Sequence, residues 1–225
     1  MLSIAGKAVA GTITRLVYQK NNRRRVNVYL DDSFAFALPD EEAARLSIGQ
    51  YLSDDDIAGL RRRDQAAKAF DRAARLLAHR PRSQHEIETH LRKAGFDADA
   101  ITHALERLRR LQLVDDRSFV DWWIDNRSRF SPRGVQALRH ELREKGVAPE
   151  LIERALQAVD EGHLAVAAGA KRAARWQNES REAFFKKMFG FLQRRGFPYP
   201  VARQATETLW ERYGRENSDE LILDT

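Results

Sequence analysis

A chain of 225 residues can bury a sizeable core as one domain or two, and with no cysteine it has no disulfide framework, thiolate nucleophile or thiolate metal site. No apolar run approaches the roughly 18 residues of a membrane span, and the opening MLSIAGKAVAGTITR lacks a signal-peptide core, so a cytoplasmic protein without membrane contact is expected. The net charge of +6 is uneven: residues 1–60 hold 7 basic and 8 acidic groups, residues 215–225 hold 1 and 4, and residues 61–214 hold 31 and 21, which suits that middle to a polyanion or an acidic protein surface.

The first sixty residues read as a small β-meander. TITRLVYQ (12–19) and RRVNVYLD (24–31) alternate with period two and are rich in β-branched and aromatic residues, and DDSFAFAL (31–38) supplies a turn and a third strand. Pro39, without a ladder N–H, closes the sheet. DEEAARL reads as a short helix, and SDDDIAGLRRRD as another, with Ser53 as N-cap and Asp54, Asp55 and Asp56 complementing the helix dipole.

From residue 61 onward every periodic segment is helical. LRKAGF (91–96) returns as LREKGV (142–147) and LQRRGF (192–197), a spacing that marks stacked copies of one supersecondary unit. Each copy holds three helices. The first has 65–79, then 83–94 with the capping pair Ser83 and Glu86, then 97–111 with Ile101, Leu105 and Leu108 on one face. In the second copy a helix carries Trp122, Trp123 and Ile124. The next is expected to run from Ser131 as N-cap and Pro132 as first helical residue to 146, followed by 148–160. The third copy has 163–177, 180–196 and 200–213, where Ala202, Thr206 and Leu209 fill the apolar slots less hydrophobically, as in a terminal repeat. The repeated phrase itself reads as a helix end: a core leucine, cations on the last carbonyls and a glycine in the left-handed region. The expected organisation is 1–62 (β segment and short helices), three trihelical repeats at 63–118, 119–161 and 162–214, and an acidic tail at 215–225. The fold class is mainly α, a tandem repeat behind a small β-meander.

Catalytic signals are missing from the sequence. There is no glycine-rich phosphate loop, and His85 and His90, five residues apart, point about 140° from each other on a helix, so they do not share a metal. Trp122-Trp123 and Phe184-Phe185 read as core. No cofactor, metal, catalytic residue or small-molecule substrate is expected.

What remains is basic. Arg80 and Arg82 flank Pro81, while Arg127, Arg129 and Arg133 flank Pro132, both at the junction of a repeat's first and second helices, near what read as helix N-termini. Cations gain nothing from the dipole there, which weights these clusters towards anionic partners. Arg139, Arg143, Lys186, Lys187, Arg194 and Arg195 complete the candidate surface.

RVNVYLDDSFAFALP, LSIGQYLSDDDIAGL, ALERLRRLQLVDDRSFVDWWIDNR, RGVQALRHELREKGVAPELIERAL, RPRSQHEIETHLRKAGF and FLQRRGFPY closely resemble the RecX family of regulatory proteins, in family order from about residue 11 to 213. The resemblance implies an elongated, curved stack of trihelical repeats. Such a body lies in the groove of the RecA–DNA filament, modulates and usually inhibits the recombinase, and has no catalytic motif. It implies RecA as partner; weak DNA binding as a secondary property and a monomeric state are expected beside it. The alternative is a basic protein acting directly on DNA through helix-turn-helix-like units. Against it, the third helices ITHALERLRR and LIERALQAVD are mixed or acidic.

Overall fold

Alternating apolar residues in the first forty positions form an antiparallel sheet with one face buried. The computed structural model describes residues 9–214. Strands β1 (Gly11–Gln19), β2 (Asn22–Leu30), β3 (Ser33–Pro39) and β4 (Tyr51–Leu52) lie in the order β3-β2-β1-β4. β4, two residues pairing with Gly11 and Thr12, is too short to leave a periodic signal in the sequence. Asp31 and Asp32 take the left-handed conformation in the β2–β3 turn, which aspartate tolerates better than most residues. Ile13, Val26, Val28, Leu30, Phe36 and Leu38 form the buried face.

That face packs on α2 (Asp54–Leu77), which follows the single-turn α1 (Asp40–Ala43). Ser53 caps α2 through a reciprocal capping box with Asp56. The two helices expected at 53–64 and 65–79 are one helix of 24 residues. LRRRDQAAKAF, between its halves, contains no proline or glycine to break it. The expected boundary at 62/63 therefore lies inside a continuous helix. Its first half gives Ile57 and Leu60 to the sheet core, and its second half gives Ala69 and Ala73 to the first helical core.

Three trihelical sets follow. α2 continues into α3 (Gln84–Lys93) and α4 (Ala98–Arg110), closing on Ile87, Leu91, Ile101, Leu105 and Leu108. Next come α5 (Asp116–Phe130), α6 (Val135–Glu144) and α7 (Pro149–Leu156), around Phe119, Leu138, Leu142 and Ile152. The third set is α8 (Glu161–Arg175), α9 (Arg181–Arg194) and α10 (Tyr199–Tyr213), around Phe184, Met188, Leu192 and Leu209. Ala202 and Thr206 are fully buried as well, and the Thr206 hydroxyl donates to the Ala202 carbonyl at 2.7 Å. Trp122 and Trp123 pack against Phe119, as read from the sequence.

The expected start of the second middle helix is corrected. α6 begins at Val135 with Gly134 as N-cap, and Ser131 is instead the C-cap of α5. Residues 131–134 are used as a loop, for a reason given below. Gly95, Gly146 and Gly196 all take positive φ after α3, α6 and α9, as the repeated phrase predicts. The chain divides into two compact units: up to Arg80 with Ile87–Val114, and Pro81–Glu86 with Asp115 onward. Among the described residues no helix is long and apolar enough to cross a membrane. The acidic tail expected at 215–225 lies outside the described residues.

Candidate partner-binding surface

In the second unit, the starts of the first two middle helices each rest on the repeat that follows, and in the same way. The backbone N–H of Gln84, first residue of α3, donates to the Asp116 carboxylate at the start of α5 (2.8 Å). The N–H of Val135, first residue of α6, donates to Glu161 at the start of α8 (2.7 Å). Both are helix-terminal amides with no partner in their own helix, and both receive an acid from the next repeat. One residue earlier the pattern repeats. The Ser83 hydroxyl donates to the Lys145 carbonyl (2.6 Å), and the Gly134 N–H donates to the Arg195 carbonyl (2.9 Å). Lys145 and Arg195 each precede a positive-φ glycine. The glycine turn ending one middle helix is thus the seat for the start of the middle helix before it. Residues 131–134 are loop because Gly134 must reach that seat.

Contacts within the repeats absorb several of the expected binding residues. Arg127 and Arg129 lie in the last turn of α5, a helix C-terminus, so the expectation that they sit at the electrically unfavourable end is overturned. Arg127 donates to Glu141 at 2.7 Å, and the same carboxylate oxygen accepts from the Trp123 indole at 2.9 Å. Arg129 pairs with Asp125 four residues back. Arg139 makes a fork on Glu153 at 2.7 and 2.9 Å, which raises the guanidinium's pKa and lowers the carboxylate's. Lys187 pairs with Glu179 at 2.6 Å. Arg80 and Arg82 are half-buried, and both are engaged by neighbouring groups. Arg143, Lys186 and Arg194 are exposed and form no ion pair among the described residues.

Arg133 and Arg195 are set apart by poor neutralisation. Arg195 is half-buried and donates to the Pro132 carbonyl at 3.1 Å and the Ser131 hydroxyl at 3.4 Å, with no carboxylate paired to it among the described residues. Burial lowers its pKa, and the nearby positive charges of Arg133 and Arg172 lower it further. Arg172, on α8, escapes a reading of the sequence. No motif surrounds it, and only the fold brings its guanidinium to the Phe191 ring (5.4 Å), which Arg195 also covers (4.8 Å).

Comparison with known proteins covers the same ground from end to end. Family models match in order: the regulatory protein RecX N-terminal domain over residues 11–50, and the first, second and third RecX three-helix domains over 69–108, 115–156 and 160–206. The regulatory protein RecX of Bacillus pumilus is 29% identical over 216 residues, covering 94% of this chain and 82% of that protein. That of Geobacillus kaustophilus is 32% identical over 201 residues, covering 85% and 74%. A crystal structure of regulatory protein RecX superposes with a TM-score of 0.70 at 26% identity, covering 87% of this chain and 98% of the other. A RecX structure from Lactobacillus salivarius, TM-score 0.56 at 23% identity over 65% of this chain and 97% of the other, shares the fold.

Proposed function

The chain belongs to the RecX family of regulatory proteins, and on that premise we propose that it acts without catalysis, binding the filament that RecA forms on DNA and restraining its ATP turnover. The observation that carries this reading is the set of cations that the fold leaves available. Arg143, Lys186 and Arg194 are exposed without ion pairs among the described residues, and Arg129 is 69% exposed on a helix surface pair. A pair within one exposed helix contributes only about 0.3–0.5 kcal/mol, so Arg129 is readily given up to a partner. Guanidinium forks suit both carboxylate and phosphate, the two anions of a nucleoprotein filament. The protein acts as a monomer in this reading, in the cytoplasm, with no cofactor.

The test is RecA ATPase on single-stranded DNA, titrated with this protein. Turnover is expected to fall as the protein approaches stoichiometry with RecA, and unchanged turnover there refutes the reading. A triple variant, Arg129→Gln, Arg143→Gln and Arg194→Gln, is expected to weaken inhibition while its thermal midpoint stays near that of the parent. Arg127→Ala is unsuitable for this purpose, because it breaks the Glu141 contact and lowers the midpoint itself.

A further inference from the structure

The loop between α5 and α6 meets the end of α9 with more positive charge than the fold neutralises. Four guanidiniums gather there, those of Arg127, Arg133, Arg172 and Arg195. Among the described residues, the one carboxylate paired with any of them is Glu141. That carboxylate already accepts from Arg127 and Trp123. Both of those bonds fall on Oε2, while buried Arg133 Nε lies 3.3 Å from Oε1, an ion pair that forms no hydrogen bond among the described residues. Arg195 Nη1 donates to a carbonyl and a hydroxyl, and both neutral groups leave its charge uncompensated. Arg172 is exposed, forms no ion pair among the described residues, and shares the Phe191 ring with Arg195. Like charges gathered around one carboxylate carry a free-energy cost, and an anion bound beside them relieves it.

We propose that Arg133, Arg172 and Arg195 form an oxyanion site that takes a backbone phosphate of single-stranded nucleic acid. A carboxylate offers two oxygens in a plane and satisfies one guanidinium fork, whereas the oxygens of a phosphate face several directions and can serve three. The last residue of α5, Phe130, adjoins that loop and is 79% exposed, a ring available for stacking on an adjacent base. This site stands apart from RecA binding, since it requires only the chain and a strand, and neither result depends on the other.

The experiment uses the full chain and a fluorescently labelled oligothymidylate, read by anisotropy without RecA. Arg172→Gln is expected to weaken binding several-fold and to reduce the slope of log affinity against log salt by about one. Arg212→Gln, an equal loss of charge on α10, is expected to do neither. Inorganic phosphate, compared with chloride at equal ionic strength, is expected to raise the thermal midpoint of the parent saturably and to compete with the oligonucleotide. Phosphate also stabilises proteins by exclusion from their surfaces, so the readout is the difference between parent and Arg172→Gln. The proposal is overturned if the two variants lose binding equally. It is overturned if phosphate saturates a site while Arg172→Gln binds the strand like the parent, which leaves free phosphate as the ligand. It is overturned also if polyglutamate displaces the strand as well as phosphate does, because the partner is then an acidic protein.

Discussion

Three glycines share one conformation and differ in what surrounds them. Gly95, Gly146 and Gly196 have φ of 86°, 69° and 85°. A β-carbon on Gly95 meets nothing within 4 Å, whereas on Gly196 it falls 2.8 Å from the Ala137 backbone nitrogen, and on Gly146 2.4 Å from the His85 side chain. Gly95→Ala is expected to cost only the left-handed penalty, about 1–2 kcal/mol. Gly196→Ala adds the overpacking of a joint, about 1–3 kcal/mol more. Urea unfolding of both variants measures the difference, and equal losses show that the joint yields freely. Carboxylates act at the same scale. Hydrogen bonds from the Ser118 hydroxyl and N–H lower the pKa of Asp115 from its ordinary 3.8, and those of Ser53 do the same for Asp56. A folded-state value below the unfolded one makes the contribution present above about pH 4 and lost as pH falls through the lowered value. Asp115→Asn is therefore expected to lower the thermal midpoint at pH 7 and to change it little below the lowered value, which flattens the acid limb of a plot of thermal midpoint against pH.

At the scale of elements, α2 ties the sheet to the first helical set through a single acid. Asp64 is 7% exposed and pairs with Arg25 of β2 at 2.8 Å and with Lys68 one turn on at 2.7 Å. Arg25 also donates to the Ala37 carbonyl of β3, so one guanidinium links two strands to the helix. Asp64→Ala leaves Arg25 largely buried without its counter-charge and is expected to cost about 1–3 kcal/mol. Amide exchange is expected to accelerate in β2 more than in α9, and equal acceleration in both contradicts this local role. The sequence made most elements legible wherever one periodicity met clear punctuation. The strands showed by alternation, α3 by the pair Ser83 and Glu86, and the glycine turns by their threefold phrase. It misled where local chemistry and tertiary demand diverged. Ser131-Pro132 has the chemistry of a helix start, yet those residues close α5 and carry Gly134 to the Arg195 carbonyl. The arginine-rich centre of α2 looked like a gap because its polar residues lack an apolar stripe, although nothing in it breaks a helix. The candidate surface was the least legible part. A cation's availability depends on which carboxylate the fold delivers to it, and Glu141, Glu153 and Glu179 reach Arg127, Arg139 and Lys187 across turns or between helices.

At the scale of the whole molecule, charge has two fates. Residues 61–214 carry the excess of basic groups, and part of it is consumed in the pairs just described, while Arg129, Arg143, Lys186 and Arg194 face solvent. Pairs held between the helices of a repeat are partly shielded from ions, with side-chain exposures of 29% for Arg127 and 16% for Glu141. Exposed cations are screened over about 8 Å at physiological ionic strength. Folding and association should therefore respond differently to salt. Raising sodium chloride from about 50 to about 300 mM is expected to shift the midpoint of RecA inhibition to several-fold higher protein concentration, as release of condensed counterions and loss of steering both weaken attachment to a polyanionic filament. Over the same range the thermal midpoint of the free protein is expected to move by a few degrees at most, since its cores are apolar and its shielded pairs are few. ATPase titrations at three salt concentrations, with melting curves in the same buffers, separate the two responses. An inhibition midpoint indifferent to salt removes the exposed cations from the interface and leaves shape and apolar contact as its basis.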